Sequence, residues 1–511
     1  MPTILLRNAA ILTMDPLHPR AQAVLVQGDR IVWVGQESDV PALPTDRVID
    51  CGGASLLPGL NDAHIHLLAY AASLRYLDCS RDAVVSIPDI QRVIQAHART
   101  VAPGHWIRAR GYDESYLGER RHPTRADLDI AASHQPVRLD HRSGHACVLN
   151  SRGLELVGIG PDTPDPPEGI IERDDDGVPT GLLLEMNRYV SGRAGEMRDP
   201  QQIEEPLVEA SRNLLRWGVT SLQDASPENN VERWQLLCHM RKKGVVSQRL
   251  SVMPGIHHLH EFIENGLLAS TGDHSLRLGQ AKVVVTMTTG GLHPSEEELR
   301  ELVRGAHRQG FGVAVHAVEE EAIVAVLRVL ANEAQASNPG SGILDRIEHC
   351  SEATPQVQAL LEGSGVTVVT QPGFIYESAE RYVAEVAREK QPWLYPLRTI
   401  RALGVAMAAG SDAPVASPDP WRGIYGAVAR RDASGVALHQ EQSLSVEAAL
   451  HMYTAGAAAA SQEDGVKGII QKGKLADLML VDRDLNQTKE VDLLKTRVVL
   501  TMVGGEVLWE W

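Results

Sequence analysis

The chain has 511 residues, of which 43% are hydrophobic and 23% charged, proportions that are ordinary for a globular protein. Its 49 Lys and Arg residues are outnumbered by 66 Asp and Glu, which gives a formal net charge of −17 at pH 7. This balance repels phosphate backbones and anionic lipid, so it argues against a nucleic-acid or membrane-surface role.

The cysteines and the apolar runs bear on the cellular compartment. The 5 cysteines are far apart and never form a C-x-x-C pair, so neither a disulfide framework nor a cysteine zinc site is expected. The N-terminal sequence has no signal-peptide pattern, and no apolar run reaches the roughly 18 residues that span a bilayer. We therefore expect a cytoplasmic protein.

Both ends of the chain consist of short β-prone runs. Near the N-terminus, AQAVLVQ and RIVWVG are separated by Gly28-Asp29, a two-residue link that indicates a hairpin. Near the C-terminus, RVVLTMVGG and EVLWEW repeat this pattern with paired glycines. Because neither end has enough strands to close a core alone, we predict one small β-sandwich domain formed by residues 1–55 and 466–511.

The middle of the chain, residues 56–465, alternates strand-like and helix-like segments, which is typical of βα units around a parallel sheet. Its clearest unit is the apolar run AKVVVTM, followed by a helix that begins with a capping box of Ser295 and Glu298. Nine strand candidates occur where a (β/α)8 TIM barrel needs eight, and we assign PVRLD to an inserted subdomain at about 70–205. The candidates are LLPGL (56–60), PVRLD (136–140), GVTSLQDA (218–225), RLSVMPG (249–255), AKVVVTM (281–287), GVAVHA (312–317), DRIEHC (345–350), GVTVVTQP (365–372) and GVAMAAGSD (404–412).

Polar side chains follow several of these apolar runs, at the strand ends where such barrels place their reactive residues. His64 and His66 are two positions apart, so on a strand they point to the same face and could bind one metal. Any one of these histidines could instead be a structural residue of the core. A shared site is favoured because the polar residues fall at equivalent ends of successive predicted strands. The residues, in chain order, are His64, His66, Lys282, His316, His349 and Asp412.

These positions and the sequence around them resemble the amidohydrolase superfamily, within it the branch of YtcJ-like and N-substituted formamide deformylase proteins (amidohydrolase family 3). The matching segments are LLPGLNDAHIHL, KVVVTMTTGGLHPS, GFGVAVHAVEEEA, DRIEHCSEATP, TVVTQPGF, AMAAGSDAPVASPDPWRGIYGAV and KGIIQKGKLADLMLVDRDL. The resemblance runs through nearly the whole chain. It implies a distorted (β/α)8 barrel that carries one or two divalent metal ions, usually zinc.

The resemblance also implies a role for each polar residue. His64 and His66 look like ligands of the more buried metal, and Asp412 looks like the last-strand carboxylate at the metal centre. The pair His316 and His349 resembles the ligands of the second site. Lys282 is similar to a fourth-strand lysine that many relatives convert to N6-carboxylysine as a bridging ligand.

The segment after Lys282, VVVTMTTGG, differs from the acidic DG-type segment of many relatives, which leaves the bridging role and the metal count open. An unmodified lysine would be a cation beside the metal and would repel it. The alternative from the residues alone is a lysine at the strand mouth that pairs with a carboxylate.

Imidazole and carboxylate donors suit zinc, and a catalytic zinc site lowers the pKa of its bound water toward roughly 7. Asp412 would accept a proton from that water and pass it to the departing nitrogen. We therefore predict a metal-dependent hydrolase that cleaves the C–N bond of an amide, N-formyl or cyclic amide in a small molecule. The alternatives are a deaminase or an ester or carbamate hydrolase on the same fold, and a non-catalytic scaffold.

Three further residues are candidates for substrate binding. Gln371 ends the penultimate predicted strand and could donate to the substrate carbonyl. His145 resembles a family position near the substrate, although it could equally pair within the insertion, and Asp113 lies on a loop of the insertion, where it could also be simply solvated. Since relatives are often dimers, the resemblance further implies a homodimer.

Overall fold

The computed structural model describes residues 2–102, 104–166, 169–194, 200–287, 290–336 and 342–511. Residues 288 and 289, in the segment after Lys282, lie outside these ranges, as do parts of the predicted insertion. The chain divides into two compact units, of which the first comprises Met1–Leu67, Leu207–Thr286 and Pro294–Trp511. The second comprises Leu68–Pro206 and Met287–His293. Within the described ranges, no helix has the length and apolar character needed to cross a membrane.

Strands and helices alternate through most of the chain, which confirms the α/β class. The strands are β1 (Thr3–Arg7), β2 (Ala10–Leu12), β3 (Arg20–Ala21), β4 (Ala23–Gln27), β5 (Arg30–Gly35), β6 (Arg47–Asp50), β7 (Ser55–Pro58), β8 (Leu60–Ile65), β9 (Leu77–Asp78), β10 (Ile107–Tyr112), β11 (Val137–His141), β12 (Ala146–Leu149), β13 (Ile170–Arg173), β14 (Pro179–Leu184), β15 (Val219–Asp224), β16 (Arg249–Val252), β17 (Leu276–Leu278), β18 (Ala281–Val284), β19 (Val313–Ala317), β20 (Arg346–His349), β21 (Thr367–Thr370), β22 (Met407–Ala409), β23 (Leu478–Val481), β24 (Val498–Val503) and β25 (Glu506–Glu510). The α-helices are α1 (Leu67–Ser73), α2 (Ile87–Ala98), α3 (Arg125–Ala131), α4 (Ser151–Val157), α5 (Asn187–Ala194), α6 (Pro200–Arg216), α7 (Val231–Lys242), α8 (Leu259–Glu264), α9 (Glu296–Arg308), α10 (Glu320–Ala336), α11 (Pro355–Leu361), α12 (Gly373–Glu385), α13 (Leu397–Ala402), α14 (Pro420–Ala429), α15 (Val446–Met452) and α16 (Ala455–Ala460). Short 3₁₀ helices cover Glu37–Asp39, Ile256–His258, Gln391–Trp393, Gln440–Gln442 and Glu490–Lys495.

In the first unit, strands from both ends of the chain share a sheet. β7, near the N-terminus, pairs antiparallel with β23, which continues through β24 to β25. The N-terminal hairpin predicted from the sequence is confirmed, because β4 and β5 pair Gln27 with Arg30 across the two-residue link. Gly28 in that link has a φ of 60°, in the left-handed region that glycine adopts without a steric penalty.

Two parallel sheets of the first unit carry the predicted metal ligands on their strands or directly after them. Their strand orders are β17-β16-β15-β8 and β18-β19-β20-β21-β22. Backbone hydrogen bonds also link the edges of the two sheets: Asp412 N–H donates to the His64 carbonyl (2.7 Å), and Lys282 N–H donates to the Pro254 carbonyl (2.7 Å). The strands β8, β15, β20 and β21 are buried along their whole length, as expected for strands covered on both faces.

The helix predicted after the strand at 281 is confirmed, together with its capping box. α9 begins after Ser295, whose side chain accepts from Glu298 N–H while the Glu298 side chain accepts from Ser295 N–H. Leu299, Val303 and Ala306 are its buried residues, as the apolar spacing predicts.

The first predicted strand, LLPGL at 56–60, is wrong in its bounds. The segment is divided between β7 in the terminal sheet and β8 in a parallel sheet. The division falls at Gly59, where a Cβ would lie 2.2 Å from the Thr220 side chain. Glycine therefore lets the chain pass close to β15 as it leaves one sheet for the other.

The second unit contains a separate sheet with the strand order β13-β14-β12-β11-β10-β9. β11, which contains most of the PVRLD segment, lies parallel to β10 and antiparallel to β12. α2 and α3 bury Ile87, Ile90, Ile94 and Leu128 in a core shared with this sheet. The domain boundaries given above stay predictions.

Candidate metal centre

The two parallel sheets bring His64, His66 and Asp412 together. His64 lies in β8, His66 follows that strand directly, and Asp412 follows β22. The Nε2 atom of His66 lies 3.0 Å from Asp412 Oδ1, and the Nε2 atom of His64 lies 3.4 Å from the same oxygen. One potential ligand atom from each residue falls within 4.8 Å of the others, which is a spacing that one ion can bridge.

The other two predicted histidines continue this cluster. His349 ends β20, and its ring centroid is 4.9 Å from that of His64. His316 lies in β19, and its ring centroid is 4.3 Å from that of His349. Four imidazoles from three strands and the residue after β8 therefore lie next to one another in the first unit.

Three of these imidazoles are anchored through the Nδ1 atom. His64 Nδ1 contacts Glu348 Oε2, His66 Nδ1 lies 3.2 Å from Ser226 Oγ, and His349 Nδ1 lies 2.7 Å from Gln371 Oε1. An acceptor at Nδ1 fixes the tautomer that keeps the proton there, so Nε2 presents its lone pair. Such an arrangement is typical of histidines that bind a metal through Nε2.

Glu348 and Arg346 are functional residues that sequence reasoning missed. Both are fully buried in β20, and Arg346 Nε donates to Glu348 Oε1 at 2.5 Å. Arg346 also donates to the Ala63 carbonyl at 2.6 Å and contacts Gln223 Oε1. The signal was available in the segment DRIEHC, because charged residues inside a run predicted to be buried must be paired.

Burial and local charge set the protonation states of the cluster. Burial, with the nearby charge of Lys282, lowers the pKa of His64 to about 3, so its imidazole is neutral, the form that binds a metal. Burial opposes the charged form of His66 too, but the Asp412 carboxylate outweighs it and raises that pKa. Burial alone would raise the pKa of Asp412, whereas the His66 hydrogen bond and the neighbouring imidazoles hold it below its usual range.

Lys282 lies in β18, and its side chain is buried. Only 2% of the residue is exposed, and Nζ has no acceptor in the part of the chain that the structure describes. Burial lowers the pKa of this amine to about 8, although the charges of Glu348 and Asp412 act in the opposite direction. A buried nitrogen without an acceptor costs free energy, so this atom is a candidate for modification or for a ligand.

The backbone at the site is unusual at two of the predicted residues. His349 has a φ of 68° and Asp412 a φ of 60°, both in the left-handed region that residues other than glycine seldom adopt. Gly410 packs against the first histidine, because a Cβ there would lie 2.5 Å from His64 N. Strain and close packing of this kind concentrate where side chains must be held in one geometry.

The three predicted substrate-binding residues fall in different places. Gln371 is fully buried in the first unit; its Oε1 is used by His349, and its Nε2 has no acceptor within the described chain. Asp113 and His145 belong to the second unit. Asp113 is buried, whereas the His145 side chain is 54% exposed and its Nδ1 lies 2.8 Å from Glu185 Oε1. Their roles in substrate binding stay predictions.

Residues 47–509 match the model of the Amidohydrolase family. An N-substituted formamide deformylase from Arthrobacter pascens is 30% identical, over 100% of this chain and 99% of that protein. A putative amidohydrolase, YtcJ, from Bacillus subtilis (strain 168) is 25% identical, over 98% of each chain. Among solved structures, a metal-dependent hydrolase from Pyrococcus horikoshii superposes with a TM-score of 0.77 at 23% identity, over 96% of this chain and 99% of that one. At this identity the superposition shows a shared fold.

Proposed function

Because the chain belongs to the amidohydrolase family, we propose that it is a metal-dependent hydrolase that cleaves the C–N bond of an amide, N-formyl or cyclic amide. One observation carries the proposal: the Nε2 atoms of His64 and His66 both face Asp412 Oδ1, while their Nδ1 atoms are held by Glu348 and Ser226. The family resemblance found in the sequence is confirmed.

We propose that the two parallel sheets form one distorted (β/α)8 barrel. β17 and β18 would together supply its fourth strand, since β16 pairs with β17 and the bridge between Gly255 and Lys282 continues that pairing to β18. This gives eight strands, joined at the other edge by the bond from Asp412 N–H to the His64 carbonyl. The two terminal sheets would form a β-sandwich, which is supported by a shared apolar core. That core includes Ile4, Leu6, Ile11, Val24, Val26, Leu56, Leu478, Leu480, Leu500 and Met502.

His64, His66 and Asp412 would hold the more buried metal ion, and His316 and His349 would complete the centre. Imidazoles and an ionised carboxylate, with no cysteine among these donors, suit zinc. When bound, the metal polarises the substrate carbonyl and lowers the pKa of a water to roughly 7. The chain supplies the rest: Glu348 and Ser226 orient the histidines.

Asp412 would move the proton in this reaction. Its carboxylate is ionised because the histidines hold its pKa low, so it can accept a proton from the attacking water. It would then return that proton to the departing nitrogen, which leaves as a neutral amine. Gln371 Nε2, which is buried and lacks an acceptor among the described residues, would donate to the substrate carbonyl oxygen.

We propose further that Lys282 is carboxylated. Its amine would add to carbon dioxide and release one proton, giving a carbamate whose oxygens can bind two metal ions. The support is the buried Nζ, which has no acceptor among the described residues. A carbamate would replace this orphan cation with an anion beside the histidines. The alternative is an unmodified lysine whose positive charge is balanced by the negative charges of Glu348 and Asp412.

The hydrolase proposal is tested on zinc-loaded protein with an N-substituted formamide, a cyclic amide, an ester and an aminopyrimidine as substrates. Release of formate or of a ring-opened acid is expected, and Asp412→Asn should lower kcat by about 10²- to 10⁴-fold, the usual contribution of a general acid–base group. Turnover of the aminopyrimidine or the ester alone would reassign the reaction. Turnover of none of them, with zinc bound, would contradict the proposal for these substrate classes.

Lys282 is tested by metal content, measured by plasma mass spectrometry on protein purified without chelator. If the carbamate bridges two ions, Lys282→Ala should contain at least one metal equivalent fewer than wild type. A carbamate signal in the ¹³C NMR spectrum of wild type equilibrated with ¹³C-bicarbonate should disappear in the same variant. Equal metal content in both proteins, without that signal, would mean an unmodified lysine that does not bridge two ions.

A further inference from the structure

A second group of carboxylate and imidazole side chains lies in the second unit, at the carboxyl ends of two neighbouring strands. β10 and β11 are parallel, and their register pairs Tyr112 with His141. Asp113 and Glu114 follow β10 directly, so the pairing brings two carboxylates to the imidazole that ends β11. Open α/β sheets place ligands at such carboxyl ends of their parallel strands.

The side chains are arranged with their unused atoms together. One potential ligand atom from each of Asp113, Glu114 and His141 lies within 4.8 Å of the others. Asp113 Oδ1 accepts from Ser115 N–H (3.0 Å) and Ser115 Oγ–H (2.5 Å), and His141 Nδ1 lies 2.8 Å from Ser143 Oγ. The remaining atoms, Asp113 Oδ2, Glu114 Oε2 and His141 Nε2, are buried and have no hydrogen-bond partner in the chain as described. Asp113 is 3% exposed and His141 is 6% exposed, so water does not replace these partners freely.

The close approach of Glu114 to His141 does not satisfy these atoms. Glu114 Oε2 and His141 Nε2 are 2.9 Å apart but are not aligned for a hydrogen bond. If His141 Nδ1 accepted the Ser143 N–H, 3.2 Å away, Nε2 would carry a proton without an aligned acceptor. If a neutral His141 instead donates Nδ1–H to Ser143 Oγ, Nε2 presents a lone pair beside a carboxylate oxygen, and the two repel each other unless a cation lies between them.

The local charge leaves room for a cation. Arg142 Nε lies 3.6 Å from Asp113 Oδ2, beyond hydrogen-bonding distance, so it offsets one of the two carboxylate charges without bonding to that oxygen. His122 Nδ1 lies 3.6 Å from Glu114 Oε2, and burial lowers the pKa of this imidazole, which favours its neutral form. With His122 and His141 neutral, Asp113, Glu114 and Arg142 sum to one negative charge. A divalent ion would compensate this charge and satisfy the three orphan atoms together.

We propose that Asp113, Glu114 and His141 bind a divalent transition-metal ion, with ligands other than those of the metal centre in the first unit. An imidazole among two carboxylates favours ions such as Zn²⁺ or Mn²⁺ over Mg²⁺, which prefers oxygen ligands and retains its waters. An ion there would join the segment after β10 to the end of β11.

The test uses the full chain, Zn²⁺ as the probe and two measurements. Hydrogen exchange of the wild type, followed by mass spectrometry, should slow at residues 113–115 and 141–143 when Zn²⁺ is added, with little change from Mg²⁺. In the isosteric variant Glu114→Gln, zinc binding at this site should weaken at least as much as the roughly 10-fold that loss of a supporting residue costs. Equilibrium dialysis at a free zinc concentration between the two dissociation constants should then find less bound zinc than in wild type. It should also find less than in the control His134→Ala, which removes an exposed histidine of the same unit.

The outcomes separate this proposal from the metal centre of the first unit. The double variant His64→Asn, His66→Asn should keep the zinc-dependent protection at residues 113–115. Protection confined to the first unit, with equal zinc counts in Glu114→Gln and wild type, would overturn the second site and leave the hydrolase proposal intact. Protection confined to residues 113–115 and 141–143 would support the second site and contradict the metal centre.

Discussion

Glu348→Gln tests whether a buried carboxylate holds the first metal-binding histidine in place. The substitution keeps the shape of the side chain but removes the charge that Arg346 Nε meets at 2.5 Å and that His64 Nδ1 contacts. If the new amide turns its oxygen to His64, its NH₂ faces the guanidinium. If it turns its oxygen to Arg346, its NH₂ faces His64 Nδ1, which then favours the tautomer with the proton on Nε2.

Two losses follow, and their sizes can be separated. An uncompensated Arg346 in a fully buried position should lower the free energy of unfolding by roughly 3–5 kcal/mol, the usual result of breaking a buried ion pair. The misdirected imidazole of His64 should weaken zinc binding by about 10- to 100-fold, the range for loss of a residue that supports a ligand. That range corresponds to roughly 1.4–2.8 kcal/mol of binding free energy.

Urea unfolding of the metal-free protein measures the first loss, and competition with a chromophoric chelator measures the second. Glu333→Gln is the control, because it breaks another pair of a buried carboxylate and an arginine, in which Arg304 Nη2 donates to Glu333 Oε1 at 2.9 Å. Glu333 lies on α10, and none of its described hydrogen bonds involves a histidine of the site. The Arg304 side chain is 38% exposed, so the loss of stability should be smaller than in Glu348→Gln. The control should lose stability and keep its zinc affinity. Wild-type zinc affinity in Glu348→Gln would refute the claim that Glu348 orients His64.

Two further substitutions probe the packing and the second anchor of the site. Gly410→Ala places a Cβ 2.5 Å from His64 N. It should lower the free energy of unfolding by about 1–3 kcal/mol and reduce the amount of bound zinc. The control Gly305→Ala, at an open position in α9, should instead stabilise the chain by roughly 0.5–1 kcal/mol. Retention of full zinc content and stability in Gly410→Ala would contradict the close packing. Gln371→Leu removes the acceptor of His349 Nδ1, so zinc affinity, measured by chelator competition, should fall about 10-fold. The substitution also removes a buried NH₂ that lacks a partner in the described chain, so the free energy of unfolding in urea should change little. An unchanged zinc affinity would show that His349 needs no anchor.

The ligand candidates could be found from the sequence because barrel chemistry follows strand ends. His316, His349 and Asp412 each follow or end an apolar run, and that position predicts a common edge without any knowledge of side-chain contacts. Their anchors could not be found in the same way. Ser226 is an ordinary loop residue in the sequence, and its contact with His66 depends on the approach of two strands 160 positions apart.

The strand bounds failed where one apolar run serves two sheets. LLPGL has the composition of a single buried strand, but Gly59 lets the chain turn from β7 into β8 at a point where β15 leaves no space for a Cβ. The polar residues that follow, Asn61 and Asp62, are buried in β8, which no apolar pattern predicts. Asp62 is held by Ser411, which donates to it from both Oγ and N–H, so its burial becomes tolerable only through a residue 349 positions away.

The three acceptors at the Nδ1 atoms differ in charge, and this predicts an order of metal affinity. Glu348 carries a full negative charge, Gln371 offers a neutral carbonyl at 2.7 Å, and Ser226 offers a hydroxyl at 3.2 Å. A stronger acceptor makes the opposite nitrogen of the imidazole a better donor to a metal, so His64 should be the strongest of the three ligands. Zinc affinity should therefore fall most in Glu348→Gln, less in Gln371→Leu and least in Ser226→Ala when all are measured by the same chelator competition. An equal loss in Ser226→Ala and Glu348→Gln would mean that the anchors act by position alone, and that the buried charge of Glu348 has no part in tuning the metal.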